Sequence, residues 1–339
     1  MPIRPVPFSP FSGHKGPMMK GLHMSKWFKT LTATFLAIPF AQCALVPGGN
    51  LAIAAERASP APVAAPPTAT DADPALWVVK DEDTTIYLFG TVHVLKPGLG
   101  WFDEAVKTAF DESDQLMLEI VMPEDQAEVA KTMMPLAIDQ SGKTLSSRLD
   151  PGQLAAYQAA MASVGLPAAQ FDMFEPWFPA ITLSVLPLTK LGYDPEQGAE
   201  KRLTGFAKTA GKPIAGLETL PEQLGFFDTL PETQQIAFLN AVVKDLDKLG
   251  PQLDKMVVLW AKGDPDGLAN AMNESLAATP ELARTLLWDR NARWADQLKA
   301  RMDQPGTVFV AVGAGHLAGE HSVQDYLKER GLTVKRVEY

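Results

Sequence analysis

Two stretches of the sequence share one arrangement, in which an apolar, β-branched run reaches a glycine and a histidine follows three residues later. The first stretch, TTIYLFGTVH, covers residues 84–93, and the second, TVFVAVGAGH, covers residues 307–316. Apolar runs of this length that close on glycine are typical of buried strands. Because open α/β sheets bind their ligands outside the carboxyl ends of the strands, we predict that His93 and His316 lie at the functional edge of such a sheet.

The first 55 residues are predicted to form an N-terminal extension that contains a secretory signal. A basic stretch begins at Met24, an apolar run follows over residues 31–46, and small residues at 52–54 suit cleavage. The apolar run is shorter than the roughly 20 residues of a membrane span, and Pro39 interrupts it. We therefore expect a signal peptide over about 24–55, export to the periplasm, and no stable membrane span in the mature chain.

The only cysteine, Cys43, falls within this predicted signal. Gln42 stands where a lipoprotein signal has a small residue, which argues against a lipid anchor. The mature chain then has no thiolate to act as a nucleophile or as a metal ligand. The formal net charge is −10, and Lys and Arg are scattered among the acids, so the composition argues against nucleic-acid binding.

The rest of the chain divides into a linker and one α/β domain. Residues 56–74 are mostly Ala, Pro and Thr, which predicts a flexible linker with little apolar bulk. Residues 75–339 are long enough to bury a large core. Strand-like runs in this domain are separated by two long helical regions, at about 123–208 and 221–302. Apolar spacing within these regions predicts helices over 151–164, 176–191, 265–276 and 280–302, and the prolines at 179 and 187 would kink or split the second of them. We predict a central, mainly parallel sheet with functional groups at the carboxyl ends of its strands and large helical insertions between the strands.

Two glutamates occupy positions like those of the two histidines. Glu119 lies near the end of the strand predicted at 115–120, and Glu218 ends the strand predicted at 213–218. If the strands are parallel, these groups converge at one edge with His93 and His316. Two imidazoles with carboxylates form a ligand set that suits Mn, Fe, Co or Zn. The alternatives are a buried salt bridge for Glu119, and for Glu218 a helix cap or a contact that orients a histidine.

Six short motifs in this order resemble the TraB/GumN family, which includes the Tiki proteases. The motifs are LFGTVH, LE at Glu119, GYDPEQG from residue 192, GLET with Glu218, WDRNARW from residue 288, and VAVGAGHLAG near the end. The resemblance runs from about Trp77 to Tyr339. It implies a compact α/β fold similar to the erythromycin esterase and ChaN-like haem-binding group. For Tiki relatives it implies a metal-dependent protease, with His93, His316 and Glu119 at the matching positions.

Two of these motifs contribute candidates for a substrate-binding or supporting role. Arg290 and Asn291 stand between two tryptophans, where helix packing is the alternative, and Tyr193 and Asp194 belong to the GYDPEQG motif. Unlike Tiki, the sequence shows no C-terminal membrane anchor, so we expect soluble action in the periplasm.

Three functions are compatible with these residues. The first is a metal-dependent hydrolase of a peptide or small-molecule amide, in which His93 and His316 hold the ion, Glu119 is a ligand or general base, and Glu218 assists. The second is a ChaN-like protein that binds haem or iron without catalysis. The third is a metal-independent, esterase-like hydrolase that uses histidine and glutamate as acid and base.

Overall fold

The computed structural model describes residues 69–276 and 280–338, so the predicted signal and most of the predicted linker lie outside the described residues. The described chain contains eight strands. They are β1 (Thr70–Asp71), β2 (Leu76–Lys80), β3 (Thr84–Thr91), β4 (Leu99–Gly100), β5 (Gln115–Ile120), β6 (Ile214–Glu218), β7 (Gly306–Gly313) and β8 (Val334–Arg336).

Six of these strands form the central sheet, in the order β6-β5-β7-β3-β2-β8. The first four strands in this order are mutually parallel, and β2 pairs antiparallel with both β3 and β8. The mainly parallel α/β sheet predicted from the sequence is therefore confirmed. Strand β7 comes from the far end of the chain and lies between β3 and β5, which places the two histidine turns side by side.

The alternation of side chains along the strands builds two cores, one on each face of the sheet. On β7, Phe309 and Ala311 face one core, whereas Val308, Val310 and Val312 face the other. This period of two follows from the pleat of a strand. Because both faces of the sheet are covered, all five of these side chains are buried, and this part of the strand sequence is a continuous apolar run.

Helices cover both faces of the sheet and form the two insertions. They are α1 (Glu104–Glu112), α2 (Gln126–Ala137), α3 (Leu145–Arg148), α4 (Pro151–Val164), α5 (Trp177–Lys190), α6 (Ala199–Ala210), α7 (Leu220–Asp228), α8 (Glu232–Asp245), α9 (Leu249–Ala261), α10 (Pro265–Leu276), α11 (Pro280–Ala283), α12 (Asp289–Arg301) and α13 (Val323–Glu329). Helices α1 and α6 pack on one face of the sheet, and α12 and α13 pack on the other.

Two helices differ in detail from the sequence prediction. The prolines at 179 and 187 were expected to kink or split one helix, but α5 runs unbroken over Trp177–Lys190. Pro179 falls in the first turn, where a backbone N–H has no partner within the helix in any case. The single helix expected over 280–302 is instead interrupted by a π-helical turn at Arg284–Trp288, directly before α12. Such turns are frequent at functional sites.

The folded region begins before residue 75. Residues 70–73, which composition assigned to the linker, bond to the domain: β1 pairs in parallel with β4, and the N–H of Asp73 donates to the carbonyl of Ala261 over 2.8 Å. Ala72 is buried there. Among the described residues, no helix combines the length and apolar character needed to cross a membrane.

Candidate functional site

His93 is positioned by the turn that follows β3 and by the first turn of α6. The N–H of Ala199 donates to the carbonyl of Val92 over 2.9 Å, which joins the two segments. Glu200, the second residue of α6, accepts a hydrogen bond from Nδ1 of His93, with 2.8 Å between Nδ1 and Oε1. The hydroxyl of Thr91 donates to the same carboxylate oxygen. The proton of the ring therefore resides on Nδ1.

The other ring nitrogen of His93, Nε2, is buried and has no hydrogen-bond partner within the described chain. Burial alone would lower the pKa of His93, but the charge and hydrogen bond of Glu200 outweigh it and raise the pKa above the usual 6.5. A buried nitrogen without a hydrogen-bond partner costs folding free energy unless a ligand binds to it. The side chain thus presents a basic lone pair that is fixed in direction by a carboxylate.

Glu200→Gln is expected to lower the pKa of His93 below its usual value. The substitution removes the negative charge that favours the imidazolium, so burial and the positive charge of Arg290 then dominate. Titration of histidine-labelled, metal-free protein by NMR measures the change, with exposed His321 as the internal reference. An unchanged pKa of His93 would show that Glu200 does not control its protonation.

Gly198, the residue directly before α6, lies against the backbone of His93. A Cβ atom added there would lie 2.0 Å from the carbonyl oxygen of His93. We expect Gly198→Ala to displace the turn and to cost about 1–3 kcal/mol of unfolding free energy, as overpacking does. Gly205 in α6 has open space at the equivalent point among the described residues, so Gly205→Ala should be neutral or stabilising by up to about 1 kcal/mol. Denaturant unfolding compares the two; equal losses would refute the steric explanation.

His316 lies in the short 3₁₀ turn after β7, and its tautomer follows from its neighbours. NH1 of Arg290 lies 3.2 Å from Nε2 of His316, and because a guanidinium only donates, Nε2 is the acceptor. The proton is then on Nδ1, which donates to Oδ1 of Asn291 over 2.5 Å. Asn291 is held in turn, since its amide donates to the carbonyl of His321 over 2.8 Å. Burial lowers the pKa of His316 to about 3, so the imidazole is neutral.

Glu119 sits near the end of β5 and faces both histidine turns. One carboxylate oxygen accepts from the N–H of Gly313 over 2.6 Å, and the other accepts from Arg290 over 2.9 Å and from Gln223 over 3.2 Å. Burial opposes ionisation, but the positive charge of Arg290 and the hydrogen bond from the N–H of Gly313 outweigh it and hold the pKa of Glu119 at about 2. Oε1 lies 3.6 Å from Nε2 of His316, a contact that is not an ion pair because the imidazole is neutral.

Arg290, at the start of α12, links the two glutamates. Its guanidinium donates to both oxygens of Glu218 at 2.8–3.1 Å as well as to Glu119. The ring N–H of Trp294 adds a bond of 3.1 Å to Glu218. NH1 of Arg290 also donates to the carbonyl of Leu286 in the π-helical turn, so that turn helps to aim the side chain. The strongly buried cation neutralises two carboxylates that would otherwise be unpaired.

The structure brings most of the predicted site residues together. His93, Glu119, His316 and Arg290 line one cavity. Glu218 lies behind Arg290 and Asn291 behind His316, so each supports a residue of the cavity instead of lining it. Across residues 69–276 and 280–338, no group of three or more His, Cys, Asp or Glu side chains is placed so that it could hold a metal ion.

Tyr193 and Asp194 stand apart from the cavity. The hydroxyl of Tyr193 donates to Asp254 over 2.8 Å, and the backbone of Asp194 bonds to that of Leu95, two residues after His93. The side chain of Asp194 accepts the N–H of Glu196 and starts the short turn before α6. The GYDPEQG motif therefore anchors the chain on both sides of the His93 turn.

Sequence reasoning missed Glu200 and Gln223. Glu200 follows the GYDPEQG motif by two residues and lies in the first turn of a helix, where acidic residues are common for reasons unrelated to function. Gln223 lies in the second turn of α7, directly after β6. The available signal was topological, since each residue lies in a helix that starts at the carboxyl edge of the sheet.

Comparison with known proteins supports one family. The sequence profile described as the TraB/PrgY/gumN family matches residues 75–336, which include both histidine turns. "Uncharacterized protein YbaP" of Escherichia coli (strain K12) is 26% identical over 259 residues, covering 75% of this chain and 92% of that protein. An "Uncharacterized protein" of Treponema pallidum (strain Nichols) is 23% identical over 274 residues, covering 76% of this chain and 80% of that protein.

Proposed function

Since the chain belongs to the TraB/PrgY/gumN family, we propose that it is an exported, metal-dependent hydrolase of peptide or related amide bonds. The observation that carries the proposal is the orientation of the two imidazoles. Each ring donates its Nδ1 proton to a fixed oxygen, of Glu200 for His93 and of Asn291 for His316. For His93 this leaves Nε2 without a partner in the described chain, whereas Nε2 of His316 accepts from Arg290 and is free to bind an ion only when that guanidinium moves. Both rings line the cavity that contains Glu119.

These groups offer donor atoms of the types that a divalent ion binds, and the ion would have to draw them together, since no three of them in the described chain are placed to hold it. Metal-binding histidines usually donate the other ring N–H to a carboxylate or carbonyl oxygen, and the unpartnered Nε2 of His93 is a buried donor atom that a cation would complete. His93, His316 and Glu119 would hold the ion, and nitrogen with oxygen donors suits Mn, Fe, Co or Zn. When bound, such an ion polarises a substrate carbonyl and lowers the pKa of water.

The remaining residues prepare the site electrostatically. Glu119 is ionised at neutral pH, and with a pKa of about 2 it is a better ligand than general base. Arg290 holds this carboxylate in place, and its fixed positive charge also lines the cavity. A preorganised charge in a buried site favours the negative charge that develops on a carbonyl oxygen during amide hydrolysis.

The test uses the purified protein and a mixture of unlabelled peptides. We expect metal analysis to find bound Mn, Fe, Co or Zn, chelation to abolish cleavage, and addition of one of these ions to restore it. His316→Ala should neither retain metal nor cut. A Soret band on haem addition that is lost in His93→Ala would instead support the haem-binding function. Fractionation of cells that express the whole chain tests export.

A metal-independent hydrolase is the second candidate, and one observation favours it. Arg290 already supplies a cation beside Glu119 and His316, at 2.9 and 3.2 Å. In that mechanism Nε2 of His93 takes the proton of the attacking water, and Glu200 stabilises the resulting imidazolium through Nδ1. Cleavage that resists chelation in protein with no bound metal would select this candidate over the first.

A further inference from the structure

Two cavities of different size meet at the candidate site. They share His93, Val94, Glu119 and Gln223 in their walls. The first has a volume of about 70 Å³ and the second about 550 Å³. One ordered water needs roughly 10–15 Å³ on this scale, so the first has about the size of one side chain and the second has room for a longer segment.

The smaller cavity extends from the histidines into the apolar interior. Its far wall is built by the second helical insertion, and most of the side chains there are buried. Its apolar wall includes Phe226, Leu253, Met256, Leu268, Met272 and Leu286. The charged groups in its wall, Glu119 and Arg290, are paired with each other. An apolar group is therefore the ligand that this cavity favours, because a charge there would lose its hydration without a free partner.

The larger cavity opens towards solvent and has a mixed lining. Exposed residues at its rim include Val121, Glu124 and Lys208. At the junction of the two cavities, Gln223 donates to Glu119 through its amide nitrogen, and its amide oxygen is buried with no partner inside the described chain. A free buried acceptor at this point suits a main-chain N–H of a bound peptide.

We propose that the smaller cavity is a specificity pocket, which binds one apolar side chain of a peptide substrate while the peptide backbone lies in the larger cleft. The preferred side chains are of medium size, such as Leu, Met or Phe, at one fixed position relative to the cut bond. This inference rests on the proposed hydrolase function. It goes further by naming the substrate class, a peptide with an apolar residue beside the scissile bond.

The first experiment maps cleavage sites in a defined peptide library by mass spectrometry, using the full mature chain with added metal. We expect a preference of roughly 10–200-fold for Leu, Met or Phe over Ala or Asp at that position, the range that apolar pockets reach. Met256→Phe should shift the preference to smaller residues, and Met256→Ala should admit larger ones. Cleavage without side-chain preference, or with preference for a charged residue, would overturn the inference and leave the hydrolase function intact.

Matched controls lie two residues away on the same helix. Val258 is 51% exposed and lines neither cavity, so Val258→Phe and Val258→Ala should keep the wild-type preference. A shift in these controls equal to that of the Met256 variants would contradict a role for the pocket wall.

The second experiment measures binding without catalysis. Saturation-transfer NMR with N-acetyl-leucinamide, and with N-acetyl-asparaginamide as the polar probe of similar size, requires no cleavage. We expect the leucine probe to bind the wild type and Val258→Phe, and to bind Met256→Phe at least about tenfold more weakly, in line with the loss of a side-chain pocket. Binding in a protein that cuts no peptide would support the pocket and refute only the hydrolase function. Equal binding of both probes, or of neither, would overturn the pocket.

Discussion

Replacing Arg290 with methionine is expected to lower the free energy of unfolding by about 3–5 kcal/mol, the usual cost of removing one partner from a buried ion pair. The side chains of Arg290, Glu119 and Glu218 are only 5–7% exposed. Without the guanidinium, two carboxylates share a site from which water is largely excluded. Urea unfolding at neutral pH measures the loss. Adding Glu119→Gln and Glu218→Gln to the variant should recover part of it, because the amides carry no charge.

Arg293 lies three residues after Arg290 in α12 and provides a matched control. It also contacts Glu218, at 3.5 Å, but its side chain is 48% exposed. Water screens exposed pairs, so Arg293→Met should cost no more than about 1 kcal/mol. Similar losses in the two variants would show that the buried position of Arg290 has no special importance.

The stability of the wild type should depend on pH in a related way. The pKa of Glu119 is about 2 in the folded protein, against 4.5 for an unperturbed glutamate. The stabilisation from its ionised form is therefore present above about pH 4.5 and is lost as the pH falls towards 2. His316 acts in the same direction between pH 6.5 and 3, because its folded-state pKa is about 3 and the unfolded chain takes up the proton first. A stability that rises on acidification from pH 6 to 3 would contradict both assignments.

His93→Ala is expected to reduce peptide hydrolysis by about 10²–10⁴-fold while the protein stays folded. Both candidate mechanisms need the Nε2 lone pair of His93, and general acid–base groups typically contribute this much. The change also removes the bond from Nδ1 to Glu200, but Thr91 still donates to that carboxylate and Nε2 has no partner to lose, so the fold should tolerate it. The control is His321→Asn, since the side chain of His321 is exposed, and asparagine tolerates its positive φ of 59°. Unchanged hydrolysis in His93→Ala would remove this histidine from both mechanisms.

The dependence of wild-type hydrolysis on pH should follow from the protonation of His93. In both proposed mechanisms the neutral form of His93 is the one that acts, and its pKa lies above 6.5. Activity should fall as the medium becomes acidic, with an apparent pKa above 6.5 in metal-free turnover. Glu200→Gln should move this acidic limb to lower pH.

Much of the framework was predictable because it depends on local patterns. The strand over 115–120 and the helices over 151–164 and 265–276 have the predicted bounds. The expectation that four strand ends meet at one edge is confirmed by the parallel order β6-β5-β7-β3. These features follow from apolar periodicity and proline or glycine boundaries, which a sequence shows directly.

The pairing of charges was not predictable from these patterns. Arg290 was a candidate for substrate binding or helix packing, and nothing local to its helix indicates that it bonds to glutamates 171 and 72 residues away. The π-helical turn before it, which changes the direction of the side chain, has no reliable sequence signal. Glu200 was missed for the same reason, because its partner His93 lies on a different element.

The central place of β7 has a consequence for when the candidate site can form during synthesis. A growing chain that has not yet reached residue 306 has β3 and β5 without the strand that lies between them, and it has no His316. Pairings between segments this far apart in sequence form late and slowly. The candidate site therefore stays incomplete until β7 has been synthesised and has paired with β3 and β5.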